Sequence, residues 1–293
     1  MDLQTFLDEK RILVQRSLQD ILTSINAPEV LKEAMAYSLL GGGKRLRPIL
    51  AAAVCEAAKG PVDAVMPYGC AIEMIHTYSL IHDDLPCMDN DDLRRGRPTC
   101  HVVFGEAMAV LAGDALLTEA FRVMASTGNM TPGQAPIACR IIFEVARAAG
   151  VEGMVGGQVL DVIYEGQEGS KEMVETIHRS KTAALLRAPV LAGALVAGVD
   201  DAMLARFSTY GDCIGLAFQI KDDLLDVDGD ETKVGKRLKK DDAKQTYVKH
   251  YGIEASKQRI NELIHQAIAS IECLGPDGKM LVELARRMGD RAS

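Results

Sequence analysis

Gln219-Ile220-Lys221-Asp222-Asp223-Leu224-Leu225-Asp226 is the stretch on which the reading of the fold turns. Gln219, Asp222, Asp223 and Asp226 stand at i, i+3, i+4 and i+7, so all four share one face of a helix. Ala217, Phe218, Leu224 and Leu225 close in on its other faces, as they would in a helix packed inside a bundle. A second acidic stretch, Asp83-Asp84-Leu85-Pro86-Cys87-Met88-Asp89, ends another apolar helical run that starts near Val65. Pro86 should terminate or kink that helix and swing Asp89 back toward Asp83. An acidic surface patch is the plainer alternative, and the close apolar flanks count against it. Carboxylates are costly to bury unless something cationic joins them.

Helical periodicity extends outward from these two stretches. Leu3, Phe6, Leu7, Val14, Leu18, Ile21, Leu22 and Ile25 form an apolar stripe that stops at Asn26-Ala27-Pro28. Further helices are predicted over about 30–40, 48–59, 64–84, 101–125, 135–150, 171–178, 180–198, 201–228 and 253–274. Alternating β-branched patterns are nearly absent, and no repeat or linker divides the chain. The expectation is an all-α fold: a single-domain helical bundle over residues 1–293, with a central cavity between the two Asp-rich helices. The segment 228–246 carries glycines and lysines without an apolar stripe, which predicts a lid beside the second acidic cluster.

Composition narrows the function classes. The 293 residues carry 33 Lys and Arg against 41 Asp and Glu, a net charge of −8, so nucleic acid is not the expected partner. Seven scattered cysteines without a Cys-x-x-Cys pair fit reduced thiols. The start Met-Asp-Leu-Gln-Thr has no apolar signal core. The longest apolar run, Ala188 to Val199, spans 12 residues and is too short to cross a bilayer. A cytoplasmic protein without stable membrane association is expected.

Basic residues come in sets that match the acids. Gly41-Gly42-Gly43-Lys44-Arg45-Leu46-Arg47-Pro48 places three bases at a loop-to-helix junction, without the spacing or the strand of a Walker loop. Leu93-Arg94-Arg95-Gly96-Arg97-Pro98-Thr99 adds three guanidiniums, the side chains best shaped to grip phosphate oxygens. Mg2+ completes its shell with few carboxylates plus waters and substrate phosphates. Two carboxylate clusters and several basic sets therefore predict divalent cations holding phosphorylated substrates.

With Gly-Gly-Gln-x-x-Asp (156–161), Lys181-Thr182 and His-Thr-Tyr-Ser-Leu-Ile-His (76–82) added, these motifs follow in order over about residues 37–247. The chain resembles the trans-isoprenyl diphosphate synthases. Four residues between Asp84 and Asp89 make it most similar to the bacterial, farnesyl-producing type within that family. The resemblance implies Mg2+ as cofactor, three ions with Mn2+ as an alternative, bound by Asp83 and Asp89 and by Asp222, with Asp84, Asp223 and Asp226 in support. It implies that Arg94, Lys181 and Lys236 hold the allylic diphosphate, and that Lys44, Arg47, His76 and Arg95 hold isopentenyl diphosphate. Thr182 and Gln219 would face the reacting allylic carbon. Lys244 would act as a second flap lysine across a two-residue deletion, and Arg291 would stand for a C-terminal arginine in an altered context. Homodimerisation is a further implication.

The implied reaction ionises the allylic carbon–oxygen bond, adds the isopentenyl double bond to the cation and loses a proton, and it needs no Ser or Cys nucleophile. Tyr78 and Ser79, five and four residues before Asp83, would set product length, with Tyr78 as the floor that stops at C15 rather than C20. A geranylgeranyl diphosphate synthase is the alternative, followed by a non-catalytic partner subunit. A di-metal carboxylate bundle built on Glu73-Met74-Ile75-His76 and Glu175-Thr176-Ile177-His178 would leave the basic sets unexplained.

Overall fold

The computed structural model describes residues 2–126, 133–167, 169–228 and 245–290, most of them helical. Contacts divide the chain into two compact units, Met1–Ala52 with Pro61–Ile142 and Ala53–Gly60 with Phe143–Ser293.

In the first unit, α1 (Leu3–Ser24) starts where the Asp2 carboxylate accepts the Thr5 N–H at 3.0 Å, an N-cap. The predicted stripe is its inner face: Phe6, Leu7, Val14, Leu18 and Leu22 are buried. After α2 (Glu29–Leu39) and the start of α3 (Leu46–Ala57) comes α4 (Val62–Asp83), buried around its whole circumference from Val65 to Ile81. A helix apolar on all sides belongs at a core's centre, and α4 packs chiefly against α6 (Glu106–Ala125). The predicted helix over 101–125 is two: α5 (Cys100–Phe104) ends at Gly105, whose φ of 84° suits glycine, and α6 begins beyond it. Between α4 and α5, a two-residue hairpin pairs β1 (Leu93–Arg94) with β2 (Arg97–Pro98).

The second unit centres on α11 (Asp201–Asp228). It packs against α10 (Ala184–Ala197), α13 (Ile253–Ser270) and α14 (Lys279–Gly289). The fully buried Tyr210 hydroxyl on α11 donates to the Leu281 carbonyl at 2.7 Å, tying α14 down. The stretch from Lys171 to Ala197 is long and apolar enough to span a membrane by composition, but 61% of its most apolar window is buried within the protein. That apolarity serves the core.

Two predicted helices, 171–178 and 180–198, are in fact continuous. α9 (Lys171–Ile177) runs through a π-helical turn, His178–Ala183, into α10. Among the described residues, α7 (Ala135–Ala149) matches the predicted 135–150 helix and three helices went unpredicted: α8 (Met154–Tyr164), α12 (Tyr247–Tyr251) and α14. Glycines at 153, 156 and 157 masked α8, although a Cβ on Gly157 would lie 2.3 Å from the Lys181 backbone nitrogen. That contact requires glycine, whatever its helix propensity. In α14 the signal was present: Leu281, Leu284, Ala285 and Met288 are buried at i, i+3, i+4 and i+7. The predicted 253–274 helix stops at Ser270 and passes into a 3-10 turn, Glu272–Gly278.

Candidate active site

The end of α4 builds the first acidic site. Past Asp84 the helix unwinds, and the turn closes when the Asp89 N–H donates to the Asp83 carbonyl at 2.8 Å. The Asn90 N–H reaches the Leu85 carbonyl at 3.1 Å and the Asp91 N–H the Asp84 carbonyl at 3.2 Å. Pro86 thus turns the chain back as its geometry demands. Asp83 is half-buried, Asp84 buried and Asp89 exposed. Burial pushes the Asp84 carboxyl above its ordinary range even though Arg94 lies on it, with Nε 2.7 Å from Oδ1 and 2.9 Å from Oδ2.

The arginine hairpin and the triglycine loop join in the same unit. Arg95 donates to the Gly42 carbonyl, Tyr37 donates to the Pro98 carbonyl at 2.7 Å, and Arg97 lies 4.4 Å from the centre of the Tyr37 ring. His76 is half-buried. Burial, then the charges of Arg47, Arg95, Arg94 and Arg45, hold it well below its ordinary pKa, so it is neutral at pH 7. The structure therefore brings His76, Arg47 and Arg95 into one cationic field, with Lys44 exposed on the loop beside them. Arg45 adds to that field from a buried pair: its side chain is 3% exposed and pairs at 3.1 Å with Glu73, also 3% exposed. That pairing commits Glu73 and argues against a Glu-x-x-His metal pair.

The second site is assembled on the π turn and α11. π turns insert one extra residue and recur at functional sites. Here Lys181 Nζ lies 2.5 Å from Asp161 Oδ2, and Thr182 Oγ1 donates to Gln219 Oε1 at 2.7 Å. Gln219 Nε2 donates to Asp223 Oδ1 at 3.0 Å, while Asp223 Oδ2 receives the Tyr247 N–H at 2.6 Å and lies 3.3 Å from His178 Nε2. Asp222 is half-buried, and Asp223 and Asp226 are buried. Burial lowers His178 to about 4, so its ring is neutral at pH 7. Asp161 and His178 were not among the predicted site residues. Asp161 closes the Gly-Gly-Gln-x-x-Asp motif, but nothing in the sequence paired it with Lys181.

Over residues 28–274 the chain matches the family model described as polyprenyl synthetase. The chain belongs to the polyprenyl synthetase family. A farnesyl diphosphate synthase of Bacillus subtilis (strain 168) is 45% identical over 285 residues, 96% of each chain. A chloroplastic heterodimeric geranylgeranyl pyrophosphate synthase large subunit of Arabidopsis thaliana is 47% identical, over 91% of this chain and 73% of that one. The crystal structure of an FPP/GFPP synthase from Zymomonas mobilis superposes with a TM-score of 0.88 at 36% identity, over 98% of both chains.

For this polyprenyl synthetase family member, the remaining predicted residues fall as follows. Tyr78 is 7% exposed and stands edge-on to His82, ring centres 5.6 Å apart. The Ser79 hydroxyl turns back to the His76 carbonyl at 2.8 Å. Lys236, Lys244, Arg291 and the 229–244 part of the predicted lid lie outside the described residues. Among the described residues, no three His, Cys, Asp or Glu side chains form a metal cage by themselves. The donor set still fits Mg2+, which needs one or two carboxylates when phosphate oxygens supply the rest.

Proposed function

We propose that this family member is a farnesyl diphosphate synthase, a single domain over residues 1–293 working as a cytoplasmic homodimer. It joins isopentenyl diphosphate head-to-tail to dimethylallyl diphosphate and then to geranyl diphosphate. The observation that carries the reading is the grouping on one π turn and one helix of a lysine, a hydroxyl, an amide and three aspartates, with no Ser or Cys among them.

Asp83 and Asp89, and separately Asp222, would hold three Mg2+ ions, with Asp84, Asp223 and Asp226 in support. When bound, the metal supplies the positive charge that stabilises a departing diphosphate. Arg94 and Lys181 hold the allylic diphosphate, the arginine through its bidentate fork. Arg47, Arg95 and Lys44 hold isopentenyl diphosphate, and neutral His76 offers it a hydrogen bond. The allylic carbon–oxygen bond breaks with its electron pair leaving on the diphosphate. The oxygens of Thr182 and Gln219 face the resulting cation, and the isopentenyl double bond attacks it. A proton then passes to the released diphosphate.

Relatives named geranylgeranyl synthases, 47% and 45% identical, favour a second reading with a C20 product. Tyr78, buried five residues before Asp83 and braced against His82, supports a pocket closed at C15. The test of the chemistry is substitution of the aspartates. Asp83→Asn and Asp222→Asn should each leave the circular dichroism unchanged and cut product formation at least ~100-fold, the scale of losing a several-kcal/mol charge term. Near-normal turnover in both would overturn the reading.

A further inference from the structure

Gln219 Nε2 donates to Asp223 Oδ1 and the Tyr247 N–H to Oδ2, and His178 Nε2 stands 3.3 Å from Oδ2, where its N–H can be offered to the same carboxylate. An ionised carboxylate can only accept. The Gln219 amide must therefore turn its NH2 toward Asp223 and its carbonyl toward Thr182, and the Thr182 hydroxyl donates its one proton to that carbonyl at 2.7 Å. What remains on Thr182 to face outward is lone pair alone.

The chain of donors is closed at both ends. His178 and Thr182 stand at i and i+4 on the π turn, and Gln219 and Asp223 at i and i+4 on α11. The His178 ring is itself held in place, stacked 6.2 Å from Tyr247, which stacks at 4.1 Å on Tyr251. A Cβ on Gly215 of α11 would lie 2.7 Å from Ala183 Cα, so the π turn and α11 touch too closely for the chain to re-register.

Resting on the prenyl-transfer reading above, we propose that His178 is a positioning residue. By holding Asp223 it fixes the direction of the hydrogen-bond chain, so that Thr182 presents an oxygen lone pair and never a proton to the developing allylic cation. The gain is electrostatic preorganisation aimed at a charge that exists only in the transition state, so it belongs to kcat more than to KM.

The experiment is a kinetic double-mutant cycle on the full chain with Mg2+, geranyl diphosphate and isopentenyl diphosphate, recording kcat, both KM values and Tm. H178F should lower kcat about 10-fold or more, a common scale for supporting contacts, with KM for both diphosphates nearly unchanged. T182V should lose a similar factor, and H178F/T182V should lose no more than T182V alone, because both break one chain. H178Q, which keeps an N–H donor within reach of Asp223, should recover most of kcat. Should H178F not fold, H178N, too short to reach Asp223, takes its place in the same cycle. Losses that multiply, or wild-type kcat in the His178 variant, would overturn the proposal while leaving prenyl transfer standing. A wild-type enzyme that makes no condensation product would overturn both.

Discussion

Arg94 lies along the buried carboxylate of Asp84, its Nε 2.7 Å from Oδ1 and its Nη2 2.5 Å from the same atom. The pair carries the guanidinium fork to the turn that holds Asp83 and Asp89. A lysine keeps the charge and loses the fork. Arg94→Lys should therefore raise KM for geranyl diphosphate about 10-fold, one lost charge-assisted hydrogen bond, while KM for isopentenyl diphosphate stays within about twofold. Steady-state kinetics with each substrate varied in turn checks this.

His76 gives the pH dependence. Burial and four arginines hold its folded pKa well below 6.5, while in the unfolded chain it titrates near 6.5. As pH falls from about 6.5, the unfolded state takes up a proton that the folded state refuses, so stability is full above that pH and is lost toward the folded pKa. Urea unfolding at pH 7.5 and 5.0 should show the wild type losing more stability than His76→Gln. Equal losses would mean that the arginine field does not act on this ring.

Gly157 sets how closely α8 can approach the π turn. A Cβ there meets backbone, Lys181 N at 2.3 Å and Cα at 2.7 Å, and backbone cannot step aside as a flexible side chain would. Gly157→Ala should cost roughly 1–3 kcal/mol of stability, the range for overpacking. It should also lower kcat, because Lys181 and Thr182 move with the turn. Thermal unfolding and kinetics on the same preparation separate the two effects.

The Arg45–Glu73 pair anchors the cationic loop from within the core. Its ions are 3.1 Å apart and nearly inaccessible, and Arg45 also donates to the Leu39 carbonyl at 2.6 Å. Arg45→Met alone leaves Glu73 buried and unpaired, which should cost about 3–5 kcal/mol. Adding Glu73→Leu should recover most of that loss. Denaturant midpoints of the single and double variants decide it.

Much of this was legible in the sequence because it rests on local rules. The Asp-rich faces of α4 and α11 follow from a 3.6-residue period, the Asp83–Asp89 turn from one proline, and the basic sets from composition at loop-to-helix junctions. What escaped depends on contacts between distant segments. α8 is a helix despite its glycines because Gly157 must touch the π turn, and no local propensity reports that. The π turn is one inserted residue, invisible to periodicity. Asp161 and His178 gained roles only from partners 20 and 45 positions away, Lys181 and Asp223. α14 was readable at i, i+3, i+4 and i+7, yet its buried stripe is only four residues long.

The most direct measurement incubates the purified protein and its Tyr78→Ala variant with Mg2+, labelled isopentenyl diphosphate and dimethylallyl diphosphate, and sizes the dephosphorylated alcohols. The wild type should stop at C15 and the variant should run on toward C20. A wild type that elongates neither dimethylallyl nor geranyl diphosphate would contradict the account, and a wild type that runs to C20 would contradict the role given to Tyr78.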